Sequence, residues 1–402
     1  MMLIEFSVKN YRSFQECVTF SLVTAKIPLL NKKLRNNRVK IDEKLSLLKT
    51  TVIYGANGSG KSNLIKAFQV MRDRVLTSVE NRSSFSSVQP FRYNSETINQ
   101  PSQFEVVVLI DKIIYRYGFE ITSESISREW LYSVPENQEI KLFERNLNQF
   151  EFFPSFSNIP ELASLIQSQD LLLSVANQFN LDLIQPLLHW FDQNLQIIPN
   201  IYPNFINTEL IASWQNSQLQ EQVLQFLKPF NLDIDRIIIQ PKPDSTPNQA
   251  IIKIIRSNPQ SQNIQSQNTQ SQNTQQQFDF YEDESLGTQK LLQLAIILVK
   301  ALNSGQVVCM DSLDINLHPL FTKTIIELFH QRETNPHNAQ LIFTAYDTSL
   351  LNPKLLRRDQ IWFTSKDKMG RTDLYSLAEF KIKNDTFYDQ DYLLGKYGGI
   401  PF

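Results

Sequence analysis

The sequence predicts an α/β protein with a phosphate-binding loop, an antiparallel β subdomain and an inserted helical region. Three observations lead to this prediction. The stretch VIYGANGSGKSNLIKAF, residues 52–68, has the order strand, glycine turn, helix. Strand-like segments such as FEVVVLI and KIIYRYGFEI, between about 87 and 155, indicate an antiparallel sheet, and the apolar spacing becomes helical over 160–230. From Phe278 onward the pattern is again typical of an α/β fold.

The glycine turn matches G-x-x-x-x-G-K-[ST] in a chain that has only 10 glycines among 402 residues. Backbone N–H groups of such a loop can face phosphate, Lys61 can reach the outer phosphates, and the Ser62 hydroxyl can bind Mg²⁺. An ordinary glycine-rich turn that caps a helix is the alternative. The match and its flanks favour binding of a nucleoside triphosphate through Gly55, Asn57, Gly58, Ser59, Gly60, Lys61, Ser62 and Asn63.

Composition fits a globular protein, since 42% of residues are hydrophobic and 20% are charged. The net charge of −2 gives no overall attraction to nucleic acid or to acidic membranes. The basic run at 31–40 is most simply a solvated loop, with a phosphate-backbone contact as the alternative. Cys17 and Cys309 lie in apolar runs, and we expect both to be core residues in a reducing compartment.

We expect the protein to be cytoplasmic and without a membrane partner. Its N-terminus carries Glu5 and alternates like a strand, unlike a secretory signal, and the longest apolar run, LLQLAIILVKAL, is too short to span a bilayer. The four histidines lack metal-ligand spacing, so we expect no zinc site.

Two later segments can complete a nucleotide site. GQVVCMDSLDINLHP, residues 305–319, is a small apolar strand that ends in Asp311, where a carboxylate can lie beside Mg²⁺. A buried strand that ends in a helix-capping aspartate is the alternative. The stretch SLGTQ, residues 285–289, opens a long apolar helix whose first turn suits a terminal phosphate as well as it suits an ordinary cap.

Together with these motifs, FSVKNYRSF, FTAYDTSLL and the ending DYLLGKYGGIPF make the chain resemble ABC-type ATPases, within the wider AAA family, of the bacterial abortive-infection class. These are anti-phage proteins distantly similar to RecF, SMC and OLD-type ATPases. The resemblance implies an ABC-type P-loop ATPase head that uses ATP and Mg²⁺. It also implies that two heads form a homodimer, with ATP between one head's phosphate loop and Ser285 and Gly287 of the other. A separately encoded effector, often RloB-like, is the implied partner, and DNA or RNA is a further candidate.

The sequence patterns and the resemblance together predict a division of the chain. We expect residues 1–70 to form an N-terminal ATPase lobe with the phosphate loop, and 71–256 an inserted β and helical region. The tract rich in Gln, Asn and Ser has too little apolar surface to pack, so we expect a disordered loop over 257–277. Residues 278–402 form a C-terminal ATPase lobe that carries the signature segment around Ser285, the Walker B strand before Asp311 and the switch segment around Tyr346.

The catalytic positions implied by the family are Lys61, Asp311, Ser312 and Tyr346, and two of them depart from the family pattern. Relatives normally carry Glu where this chain has Ser312, and His where it has Tyr346. Loss of a general base typically slows a reaction by about 10²- to 10⁴-fold. We therefore expect ATP binding with slow hydrolysis, unless Glu284 or Asp314 substitutes as the base.

Three functions compete. The first is a nucleotide-gated ATPase that controls or scaffolds a defence effector. The second is a RecF- or SMC-like ATPase of DNA repair or chromosome maintenance that clamps DNA; residues 71–277 show no run of several heptads, which disfavours SMC-type arms. The third is a nuclease, as in OLD proteins, whose extra acidic domain we do not expect here.

Overall fold

The computed structural model describes residues 1–28, 31–79, 88–135, 138–153, 163, 166–178, 184–199, 212–241, 250–257, 275–382 and 386–401. The strands are β1 Met2–Lys9, β2 Val18–Ser21, β3 Arg38–Lys40, β4 Ser46–Leu48, β5 Thr50–Gly55, β6 Ser102–Ile110, β7 Ile113–Ile121, β8 Ile126–Val134, β9 Ile140–Asn146, β10 Gln149–Phe152, β11 Leu195–Ile198, β12 Arg236–Pro241, β13 Ala250–Ser257, β14 Gln275–Asp279, β15 Val307–Met310, β16 Gln340–Thr344, β17 Ile361–Lys366 and β18 Thr372–Ser376. The α-helices are α1 Lys61–Thr77, α2 Leu172–Asn177, α3 Gln185–His189, α4 Ser217–Leu227, α5 Leu286–Ser304, α6 Pro319–His330 and α7 Tyr388–Leu393.

A six-stranded sheet, in the order β11-β15-β16-β5-β17-β18, forms the centre of the molecule. Its first five strands run parallel, and β18 pairs antiparallel with β17. Every residue of β5, β15 and β16 is buried, as expected of parallel strands covered on both faces. The carboxyl ends of these strands therefore meet at one edge of the sheet, which is where ligands bind in open parallel sheets.

A seven-stranded antiparallel sheet, in the order β10-β9-β8-β7-β6-β1-β2, forms a second layer. Alternate residues of β6 are buried over its first half, as in a sheet with one face on the core. The predicted α/β class with an antiparallel β subdomain is confirmed. The antiparallel sheet begins with β1 and β2, so the N-terminal strands belong to this layer rather than to the central sheet.

Two apolar cores lie on opposite faces of the central sheet. Because successive side chains of a strand point to opposite faces, Ile53 enters one core, and Val52 and Tyr54 enter the other. The first core joins α1 to the antiparallel sheet, where the rings of Phe6 and Phe68 stack with centroids 3.8 Å apart. The second contains α5 and α6.

Two details correct the sequence-based expectations. The helical spacing over 160–230 hides a strand, because Leu195–Ile198 pairs with β15 as the edge of the central sheet. A four-residue apolar run cannot be assigned from its periodicity alone. Cys17 is exposed, so its prediction as a core residue is wrong: it precedes β2, the edge strand of the antiparallel sheet. Cys309 is buried in β15, as predicted.

The predicted disordered loop at 257–277 is too long at both ends. Ser257 closes β13 and Gln275–Gln277 open β14, and these two strands pair antiparallel. Residues 258–274 lie outside the described residues. The division into lobes otherwise stays a prediction. Among the described residues, no helix is both long and apolar enough to cross a membrane.

Candidate nucleotide site

The phosphate loop connects β5 to α1, which confirms the predicted order of strand, turn and helix. Two of its glycines are required by close approach. A Cβ added at Gly55 would lie 2.4 Å from Thr364 Oγ1, and one at Gly60 would lie 2.5 Å from Thr372 Oγ1. Gly60 also has a φ of 120°, a backbone conformation that residues other than glycine rarely adopt. The loop is therefore packed tightly against β17 and β18.

Lys61 lies folded over its own loop. Its Nζ donates hydrogen bonds to Gly55 O at 2.6 Å and to Ala56 O at 3.1 Å, and it lies 4.4 Å from the centre of the Tyr346 ring. Burial lowers the pKa of Lys61, while the carboxylates of Asp311 and Asp314 act in the opposite direction. These two backbone carbonyls hold the ammonium beside the loop, where a bound phosphate could become its acceptor.

Hydroxyl groups that the motif does not include fix the rest of the loop. Ser59 Oγ lies 2.6 Å from Thr364 Oγ1, and Thr372 Oγ1 donates to Ser59 O at 2.7 Å. Asn63 Nδ2 donates to Ser13 Oγ at 2.8 Å. Sequence reasoning missed Ser13, Thr364 and Thr372, because their proximity comes from the sheet order and no local pattern marks them.

Asp311 follows β15 directly and is held by the end of the neighbouring strand. Thr344 Oγ1 donates to Asp311 Oδ1 at 2.6 Å and accepts from Ser312 N at 2.7 Å. One hydroxyl thus fixes both the carboxylate and the backbone of the next residue. Ser312 is buried, and its φ is 57°, in the left-handed region. Thr344 was not predicted; it is the last residue of β16 in the FTAYDTSLL stretch.

These groups fit Mg²⁺. A hydroxyl and a carboxylate are hard oxygen ligands, and Mg²⁺ typically takes one or two protein ligands together with substrate phosphates and waters. Ser62, in the first turn of α1, and Asp311 would hold it. Where the structure describes the chain, no cluster of three or more His, Cys, Asp or Glu side chains is placed to hold a metal.

Asp314 anchors the segment that contains Tyr346. Its Oδ2 accepts from Tyr346 N at 2.6 Å and from Asp347 N at 2.5 Å. Within the part of the chain that the structure describes, its Oδ1 is buried and has no hydrogen-bond partner. We call Tyr346 and Asp347 the switch turn. The turn leaves the Tyr346 ring 46% exposed against Lys61.

The signature segment lies beside the loop that follows Asp311. Ser285 caps α5 by accepting from Thr288 N at 3.2 Å, and a Cβ added at Gly287 would lie 2.8 Å from Asn316 O. Lys290, one turn further, donates its Nζ to Ser312 O at 2.9 Å and to Ile315 O at 2.7 Å. Burial lowers the pKa of Lys290 to about 8. Sequence reasoning did not single out Lys290.

Glu284, the first candidate for a substitute base, is already paired. Both of its carboxylate oxygens accept from the Arg256 guanidinium on β13, and its side chain is 5% exposed. Such a bidentate pair is strong and geometrically fixed. Arg256 therefore holds Glu284 against the three-stranded sheet β12-β13-β14.

An open cleft of about 480 Å³ begins at the phosphate loop. Its walls come from Gly55 to Ser59, Tyr346 of the switch turn, the end of β17, and Tyr392, Leu393 and Gly399 to Pro401 near the C-terminus. Tyr392 OH donates to Gly399 O at 3.0 Å, and a Cβ at Gly399 would lie 3.6 Å from Gly55 Cα. Ser285 and Gly287 do not line this cleft, and neither do Lys61, Ser62 and Asp311. Lys61 and Tyr346 are brought together by the contact between the ammonium and the ring.

A family model matches residues 50–352, which is 303 of the 402 residues and includes the phosphate loop, the signature segment, Asp311 and the switch turn. Its description is "AAA domain, putative AbiEii toxin, Type IV TA system". The chain belongs to this family. Family and site together support a nucleotide-binding ATPase.

Two other comparisons add little. The fold is similar to that of the SMC head domain from Thermotoga maritima, with 13% sequence identity, a TM-score of 0.43 and coverage of 95% of this chain and 100% of that one. No curated protein matches the sequence.

Proposed function

We propose that the protein is an ABC-type ATPase that binds ATP with Mg²⁺ and hydrolyses it slowly, and that ATP closes two copies into a head-to-head dimer. The observation that carries this proposal is the arrangement at the sheet edge. The glycine loop holds the buried Lys61 Nζ, and Thr344 orients the Asp311 carboxylate at the end of a neighbouring strand. Lys61 would contact the outer phosphates, and the ion at Ser62 and Asp311 would stabilise their charge.

Slow hydrolysis is supported by what surrounds the missing glutamate. Ser312 offers a hydroxyl, which is a poor base near neutral pH. Glu284 is paired with Arg256, and one carboxylate oxygen of Asp314 accepts hydrogen bonds from the switch turn. Neither carboxylate is therefore fully available to act as the base. Tyr346 can donate a hydrogen bond but cannot supply the positive charge of a protonated histidine. The groups that grip ATP are complete, whereas those that activate water are weakened.

The dimer and the biological role extend the same proposal. Ser285 and Leu286, at the start of the signature helix, are exposed, so this helix start is available to a phosphate held by a second copy. The abortive-infection resemblance and the family description favour anti-phage defence, in which the ATP-bound dimer controls or scaffolds a separate, RloB-like effector.

ATP binding by Lys61→Ala and by a matched control, Lys66→Ala, tests the site. Both lysines lie on α1, but Lys66 is exposed and away from the loop. Loss of a charge-assisted phosphate contact should weaken Mg-ATP binding by at least about tenfold in Lys61→Ala and leave Lys66→Ala near the parent. Titration with a fluorescent ATP analogue measures both. Equal affinity of Lys61→Ala and the parent would show that the site is misassigned.

A further inference from the structure

The loop after Asp311 is contacted on one side by the signature helix α5 and on the other by the switch turn. From α5, Lys290 Nζ donates to the carbonyl oxygens of Ser312 and Ile315, which flank Asp314 in the sequence. From the other side, the switch turn donates two backbone N–H groups to Asp314 Oδ2. Asp314 therefore stands between the signature helix and the switch turn.

Lys290 and Asp314 each have hydrogen-bonding capacity left. An ammonium has three N–H donors, and the two carbonyls use two of them. Oδ1 of Asp314 is buried and without a hydrogen-bond partner among the described residues. A buried carboxylate oxygen without a donor destabilises the structure. The two carbonyls that Lys290 contacts, of residues 312 and 315, keep its ammonium on the same short loop as Asp314.

We propose that Lys290 and Asp314 are paired positioning residues, whose direct ion pair forms when ATP closes the dimer and links the signature helix to the switch turn of the same head. A small shift of α5 toward the loop would bring the third N–H of Lys290 to Asp314 Oδ1. The switch turn faces the head's own ATP, and the start of α5 faces the partner's ATP. The pair thus makes occupancy of one site favour the other.

This inference rests on the proposed function, because it needs the signature segment to contact the partner's nucleotide. It differs from the contacts by which each head holds ATP, since neither Lys290 nor Asp314 touches a phosphate in it. Lys290 is one helical turn inside α5, and Asp314 binds only the backbone of the switch turn.

A double-mutant cycle tests the pair. The variants are Lys290→Met, Asp314→Asn and their combination, with Lys290→Arg as the conservative control that keeps charge and donors. The dimer dissociation constant with Mg-ATP is measured by analytical ultracentrifugation, and the unfolding midpoint without nucleotide is measured on the same proteins. The second measurement reports the packing role of each side chain, including any variant that folds poorly.

We expect each single variant to weaken the ATP-bound dimer by about tenfold and the double variant to be little worse than either single one, because contacting residues couple. Lys290→Arg should stay near the parent. Without ATP the effects on unfolding should add, since the pair is not yet formed. If the double variant instead weakens the ATP-bound dimer by the product of the two single effects, Lys290 and Asp314 are not coupled and the pair is ruled out. The proposed function would be unaffected by that result. A parent that stays monomeric with Mg-ATP would contradict the proposed function and the inference together.

Discussion

Ser312 and Tyr346 are the two positions at which the resemblance to ABC-type ATPases implies a water-activating glutamate and a phosphate-contacting histidine. Ser312 has a left-handed backbone and a buried side chain, and its N–H is bound by Thr344. Tyr346 places its ring over the Lys61 ammonium, a contact that favours the charged lysine. Under the proposed function, both residues would leave ATP bound and slow its cleavage.

Restoring the family residues should speed hydrolysis in a fixed order. Ser312→Glu supplies a carboxylate to orient and activate water, and we expect a rise of about 10²-fold or more. Adding Tyr346→His should raise the rate again, through a phosphate contact that strengthens in the transition state. Affinity for ATP should change much less than the rate, because the groups that bind ATP in the ground state are unchanged.

Single-turnover hydrolysis of ATP by the purified proteins measures this order, with Ser312→Ala as the matched control. The control should equal the parent, because the serine hydroxyl does not act as the base. A parent that already hydrolyses ATP as fast as Ser312→Glu would mean that another acid acts as the base, and Asp314 would then be the residue to replace.

At the scale of elements, the C-terminal end of α6 is joined to the start of β5 by a buried polar contact. His330 Nε2 lies 2.7 Å from Thr50 Oγ1, and Thr50 Oγ1 also accepts from Gln360 Nε2 at 2.7 Å. The threonine hydroxyl thus lies between a histidine and a glutamine side chain. Burial, assisted by the nearby Lys49 charge, lowers the pKa of His330 from 6.5 to about 3.

This buried histidine makes the free energy of unfolding depend on pH in a predictable direction. Between pH 6.5 and 3 the unfolded state binds a proton at His330 that the folded state does not, so acid favours unfolding. The contribution of neutral His330 to the free energy of unfolding is fully present well above pH 6.5. About 2 kcal/mol of it is lost when the pH falls to 5. His330→Gln, which can still hydrogen-bond to Thr50 but does not titrate, should be less pH-sensitive by that amount. Urea unfolding of both proteins at pH 7 and 5 measures it, and equal pH dependence would contradict it.

The elements that local pattern specifies were predictable from the sequence. The strand, glycine turn and helix around Lys61 and the strand that ends at Asp311 have strong local signals, and both were found. Leu195–Ile198 was missed because its strand character depends on pairing with β15. Thr344, Thr364 and Lys290 were missed for a similar reason: their roles arise where distant segments meet in the sheet, and none has a motif of its own.

At the scale of the whole molecule, exposed apolar side chains follow the nucleotide-facing edge. Leu286 opens the signature helix, Ile315 lies in the adjoining loop, and Tyr346 lies in the switch turn; each is more than 40% exposed. Hydrogen bonds connect these segments through Lys290 and Asp314. Under the proposed function, these exposed side chains would be covered when ATP bridges two copies.

The design of a dimerisation test must allow for one contact within the head. Any side chain at Gly287 meets Asn316 O, so both Gly287→Ala and Gly287→Asp carry the same local steric cost. Only the aspartate adds negative charge where the partner's terminal phosphate would lie. The difference between the two variants therefore isolates the contact between heads.

Sedimentation of the parent, Gly287→Ala and Gly287→Asp, each with and without Mg-ATP, is the most direct test of the central claim that ATP gates a head-to-head dimer. We predict that the parent is a monomer without nucleotide and a dimer with it. Gly287→Ala should dimerise with at most a moderate loss of affinity, and Gly287→Asp should remain monomeric. A parent whose mass does not change with Mg-ATP, or a Gly287→Asp protein that dimerises as well as Gly287→Ala, would contradict the account.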